Sequence, residues 1–314
     1  MAWFDRKPKK GRMSLSRLEE IEPAAGAASQ ILEGDENATT PVEGESLGKL
    51  GRLYAFSPVA IALIRLFDRE DADTKEIANL VGSDATLAAE TLAFVNSPLF
   101  AITEPIASLK HAITVLGFEN VRSLAATLAM RSMLASAPKP GVLRRIWQHS
   151  IATSVVAGEL APIYGVDAGL ASTAGVLHDL GRMGLLAQYS ESYAKIIFSV
   201  FEDTASILEE ERRICALDHC DAGFLLGKAW KLPKVFQEVA EKHHKAAGLA
   251  GVVGLVHTAC ILADTLGYSG VAIRHVPTTA VWLKSAPDHL RYQIQSHWAE
   301  TNQRVVQRIE LLDF

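Results

Sequence analysis

From about Leu50 onward, apolar residues recur at helical spacing, and capping or breaking residues punctuate them. Pro58 opens a stretch with Ile61, Leu63, Ile64, Leu66 and Phe67. Thr74 precedes a short helix through Ile77, Ala78, Leu80 and Val81. Ser83-Asp84 caps a longer one through Leu87, Leu92 and Val95, which Asn96-Ser97-Pro98 stops. Ser108 opens Leu109–Leu116, Gly117 ends it, and Val121–Leu134 follows. Pro138, Pro140 and Gly141 then mark a boundary. Beyond it the pattern predicts helices near Leu143–Tyr164, Asp167–Leu180, Ser190–Phe201, Ser206–Trp230, Pro233–His244 and Leu249–Leu266. Pro287 opens a last helix through Trp298, Val305 and Ile309. No sustained Val/Ile/Thr alternation with turn residues occurs, so strands are expected to be few and the fold all-α.

The first 48 residues break this pattern. Residues 1–12 carry net charge +4, residues 13–48 carry −7 and the rest −2, which together make the chain's −5. Residues 23–48 hold few large apolar side chains, so 1–48 is expected to be a disordered tail, with a short helix around Leu15–Ile21. The basic start leads into no apolar run, which argues against an export signal and for a cytoplasmic setting. Ala246 to Ala263 is uncharged over 18 residues, but three glycines, His257 and Thr258 suit a buried helix better than a membrane span. The mild net charge argues against general nucleic-acid binding. Cys215, Cys220 and Cys260 form no paired motif; they imply a reducing compartment and read as core residues.

Candidate chemistry lies in the second half. Ten histidines and 36 acids among 314 residues make about one His-acid pair expected by chance, so a dipeptide alone says little. Context says more. His178-Asp179 follows an apolar helix and precedes Gly181, which places both at a buried helix end. A buried charge is costly unless paired or bound to a cation. An adjacent imidazole and carboxylate suit iron, manganese or zinc. His257, Cys260 or Ile261, and Asp264 lie at i, i+3/i+4 and i+7 on one helix face, aiming Asp264 inward. Spacing alone leaves two readings open: a metal-free hydrogen-bonded network, or a metal site.

An ordered series of motifs resembles the HD superfamily of metal-dependent phosphohydrolases, and more closely its HDOD branch. In the second half these are Trp147-Gln148-His149-Ser150, Gly175 through Arg182, Asp218-His219-Cys220-Asp221-Ala222-Gly223, Trp230 through Pro233, Lys242-His243-His244 and Ala263-Asp264. In the first half they are Ser83 through Leu87, Val95 through Phe100 and Ala112 through Gly117. The resemblance spans roughly 50–275. It implies a two-lobe helical module with an HD-type core in the second lobe. The expected divisions are a tail (1–48), an N-terminal lobe (49–137), an HD-like lobe (138–275) and a C-terminal helical extension (276–314).

The resemblance also implies metal ligands. His149, His178, Asp179 and Asp264 match one set, and His219, His243 and His244 a second, with Asp179 bridging. One or two divalent ions (Fe, Mn or Zn) are the expected cofactor. Arg182 stands where relatives carry a Lys and is the candidate phosphate contact. There are departures. No Gly-Tyr-Pro segment follows His219, and Arg145 stands where some relatives carry a carboxylate. HDOD proteins look like signalling modules commonly lacking demonstrated hydrolysis. The expectation is therefore a bacterial-type regulatory module that binds a nucleotide-like ligand or a signalling partner. A phosphohydrolase acting on a nucleotide or cyclic dinucleotide is the alternative.

Overall fold

The structure is a computed structural model and describes residues 58–66, 73–135, 140–245, 250–274, 276 and 288–312. The 1–48 tail, the boundary at Pro138 and His275 lie outside the described residues. The fold is all-α, with two short strands among the described residues. The helices are α1 (Pro58–Arg65), α2 (Thr74–Gly82), α3 (Ala85–Val95), α4 (Leu109–Leu116) and α5 (Phe118–Ala135). They continue as α6 (Pro140–Tyr164), α7 (Ala168–Leu177), α8 (Leu180–Gln188), α9 (Ser190–Phe198) and α10 (Thr204–Cys215). The last are α11 (His219–Ala229), α12 (Lys234–Lys242), α13 (Gly251–Thr265) and α14 (Asp288–Leu312).

Local chemistry sets most of these boundaries. Asp84, Asp167 and Asp218 each accept the backbone N–H three residues on, at 3.0, 2.8 and 2.9 Å, capping α3, α7 and α11. Asn96 ends α3, as its position before Ser97-Pro98 suggests. Its amide donates to the Leu92 and Ile106 carbonyls, and its oxygen accepts from Ile106 N–H at 2.7 Å.

One predicted helix ends short and another proves to be a pair. The expected helix Asp167–Leu180 stops at Leu177, and α8 begins after His178-Asp179. The expected helix Ser206–Trp230 breaks at Ala216, which adopts a left-handed conformation with φ 67°. Asp218 then caps a new start. Apolar periodicity runs through the Ala216 break and hides it. Ser190–Phe201 also ends early: Val200–Phe201 forms β1, paired in parallel with β2 (Ala272–Ile273).

α6 is the spine. It packs against α7, α13 and α14, while α8 packs on α11 and α11 on α12. One contiguous cluster of buried apolar residues runs from Ala60 in α1 to Ile309 in α14, including Trp147, Ile151, Leu177, Phe236 and Leu262. α5 packs on α7, so this core joins both halves of the chain. No helix among the described residues is long and apolar enough to cross a membrane. The uncharged stretch contributes α13, whose Leu255, Val256, Ala259 and Leu262 are buried.

Candidate metal centre

Five histidines and Asp179 converge where α6, α7, α8, α11 and α12 meet. Asp179 and His219 are 1% and 0% exposed, as buried as the apolar core. His149 rises from α6, His178 ends α7, Asp179 precedes α8, His219 begins α11, and His243 ends α12 with His244 beside it. Two groups of ligand-type atoms result, each gathered within 4.8 Å. One comprises Asp179, His219, His243 and His244; the other comprises His149, His178 and Cys260. The rings of His178 and His243 lie 4.9 Å apart, so the groups adjoin.

Backbone and carboxylate partners fix four of the rings. His178 Nδ1 lies 2.7 Å from the Gly175 carbonyl, and His149 Nδ1 lies 2.6 Å from that of Tyr268. His243 Nδ1 lies 3.0 Å from the Ala240 carbonyl, and His219 Nδ1 lies 2.6 Å from Glu211 Oε2. Each acceptor takes an N–H from Nδ1, which leaves each Nε2 turned toward the centre. Burial holds His178, His243 and His244 below the usual histidine range, and these imidazoles are neutral. Burial alone would raise Asp179, but Arg182, His178 and His219 outweigh it and keep the carboxylate ionised. Burial and Arg182 would lower His219, but Glu211, Cys220 and Asp179 outweigh them and raise it to about 10, so a cation would displace a proton from His219 on binding.

The fit can be tested on what these atoms lack. Asp179 Oδ1 and the Nε2 atoms of His219, His243 and His244 are all buried without a hydrogen-bond partner. His219 Nε2 and His243 Nε2 approach Asp179 Oδ1 only to 3.4 and 3.5 Å. Buried polar atoms are otherwise nearly always satisfied, and each orphan costs about 1–3 kcal/mol. Four orphans converging on one point match the donor set of a divalent cation.

Glu211 was not legible as a site residue. It is fully buried on α10, accepting from His219 N–H at 2.9 Å, from Arg182 Nη1 at 2.9 Å and from Tyr193 Oη at 2.7 Å. Burial alone would raise it; His219 and Arg182 outweigh burial and hold it well below the usual carboxylate range. Its place in the charge run Glu209 to Arg213 reads as a solvated face. The helical period Ile207, Glu211, Cys215, all buried, is the signal that points inward.

Other candidates take different places. Arg182 is buried, and its Nε donates to Asp179 Oδ2 at 2.8 Å while Nη1 bonds Glu211. The candidate phosphate contact is thus engaged by two carboxylates. Asp264 joins neither group; its Oδ1 lies 3.5 Å from His149 Nδ1, behind the ring. Arg145 donates to the carbonyls of Ser269 and Ile197, tying the 268–270 loop to α9. His257 donates from Nδ1 to the His243 carbonyl at 2.6 Å. Cys215 and Cys220 are buried core residues, whereas Cys260 Sγ lies 3.5 Å from His149 Nε2. His111 and His297 are exposed.

Known structures share this architecture. An HDOD domain protein of unknown function from Geobacter sulfurreducens aligns with TM-score 0.66 and 20% identity, over 93% of this chain and 99% of its own. A Marinobacter aquaeolei protein, provisionally described as a signal transduction protein, aligns with TM-score 0.62 and 19% identity, over 97% and 68%. One from Shewanella amazonensis, provisionally described as a metal-dependent phosphohydrolase, aligns with TM-score 0.53 and 20% identity, over 88% and 91%. No curated protein matches the chain. Residues 53–246 match the HDOD domain family model, from α1 through the His243-His244 pair, and the chain belongs to the HDOD domain family.

Proposed function

We propose that the chain is a cytoplasmic, bacterial-type signal-transduction module that acts by binding, with a divalent-metal centre at the heart of its HD-like helices. A nucleotide-like ligand or a partner protein would be its signal. The observation that carries this reading is the convergence of four buried, unpartnered ligand atoms on Asp179, His219, His243 and His244. A divalent ion there would satisfy all four, neutralise Asp179 and pin α8, α11 and α12 at one point. Enclosure supports holding over turnover. Asp179, His219 and His243 are buried, and Arg182, the nearest guanidinium, already serves two carboxylates. The signal-transduction description of the Marinobacter neighbour points the same way.

A metal-dependent phosphohydrolase is the second reading. It is favoured by Asp179, whose Oδ1 faces His219 and His243 while Oδ2 faces His149 and His178, as a bridging carboxylate would. Assay of the metal-loaded protein against nucleotides and cyclic dinucleotides separates the two. The binding module shows no turnover beyond background. Hydrolysis at about 1 s⁻¹ or faster, the ordinary enzymatic range, would overturn it.

A further inference from the structure

Sequence reading places Asp264 with His149 and His178, yet the atom that completes this group is the Cys260 sulfur. The separations can be compared with a tetrahedral ion. Two nitrogens each about 2.05 Å from zinc lie about 3.3 Å apart, and a nitrogen and a sulfur at about 2.3 Å lie about 3.5 Å apart. His149 Nε2 and His178 Nε2 are 3.3 Å apart. Cys260 Sγ and His149 Nε2 are 3.5 Å apart. Asp179 Oδ2 lies 3.7 Å from both imidazole nitrogens, slightly wider than an ideal edge. All four side chains are at most 5% exposed, and both imidazoles have Nδ1 held by a backbone carbonyl.

We propose that His149, His178, Cys260 and Asp179 form a closed, four-ligand position for a thiophilic divalent ion such as zinc or ferrous iron. This rests on the metal-centre reading above and goes further in two respects. A thiolate selects a borderline-soft metal over magnesium or calcium. Four protein ligands fill a tetrahedron, and a filled tetrahedron is the arrangement of structural sites, whereas catalytic sites keep one place open. This closed position then fixes the helices, and any ligand exchange falls to the His219, His243 and His244 side. Asp264 becomes a positioning residue that orients the His149 ring from behind.

Cobalt substitution of the full chain, prepared without oxygen, tests this directly. Thiolate-bound Co²⁺ gives near-ultraviolet charge-transfer absorption, and tetrahedral Co²⁺ gives intense visible bands. Wild type is expected to show both. Cys260→Ser should lose the charge-transfer absorption and bind cobalt at that position at least about tenfold more weakly. Cys215→Ala and Cys220→Ala should keep it, which assigns the band by elimination even if Cys260→Ser fails to fold. Asp264→Asn should keep the band while weakening binding. Cobalt bound without the band overturns the Cys260 ligand and spares the centre. A band that survives Cys260→Ser, or vanishes in Cys220→Ala, also overturns the assignment. Failure to bind any cobalt overturns both readings.

Discussion

Five aspartates, Asp73, Asp84, Asp167, Asp203 and Asp218, stand at helix N-termini and accept a backbone N–H. Asp179 stands at the same position on α8 and makes no such bond. Its carboxylate is turned instead to Arg182 and the imidazoles, a departure from the capping rule the other five follow. Glu211 supports the same centre from behind, holding both His219 and Arg182. Glu211→Gln is expected to weaken metal affinity by about 10–100-fold, measured by competition with a chelator. Unchanged affinity would show that His219 needs no such partner. The histidines and Asp179 were legible because they fall in an ordered motif series. Glu211 and Cys260 were not: one hides among exposed charges, and the other lacks a partner cysteine in sequence.

At the scale of elements, the site depends on how closely helices approach. A Cβ on Gly181 would lie 1.8 Å from the His219 carbonyl oxygen and 2.5 Å from the Gly223 nitrogen. That contact is impossible without moving α8 from α11, and with it His219. Gly181→Ala should cost about 1–3 kcal/mol in urea denaturation and lower metal retention. A variant with wild-type stability and metal content would contradict the packing described. Asn96 offers the contrast, because its three bonds close the turn between α3 and Ile106, far from the centre in sequence and in role. Asn96→Ala should lose about 1–2 kcal/mol by the same measurement while keeping its metal. Element positions were largely readable from apolar spacing and caps. The break at Ala216 was not, because periodicity continues across it while a left-handed residue and the Asp218 cap divide the helix. The β1–β2 pair escaped as well, since two-residue strands leave no alternation to read.

At the scale of the molecule, α14 ties the C-terminal segment to the rest. Ile294, Val305 and Ile309 join the common core, and the Arg308 guanidinium lies 4.2 Å over the Phe94 ring of α3. Burial lowers the Arg308 pKa to about 10, so it remains a cation at neutral pH. The candidate metal centre sits where five helices of this single core converge, so an ion bound there would contribute to the stability of the whole. With free metal at a hundred times its dissociation constant, binding adds about 2.7 kcal/mol. Removing it with a chelator should lower the melting temperature by several degrees, and restoring the ion should recover it. A melting curve indifferent to the chelator would show that the centre does not anchor the fold.

The central claim is that Asp179 and the surrounding histidines hold a divalent ion. Elemental analysis of the full chain purified without oxygen, beside Asp179→Ala, tests it most directly. The account predicts one or two equivalents of a divalent transition metal in wild type and a large loss in Asp179→Ala. Absence of metal from wild type, or the same content in the variant, would contradict it.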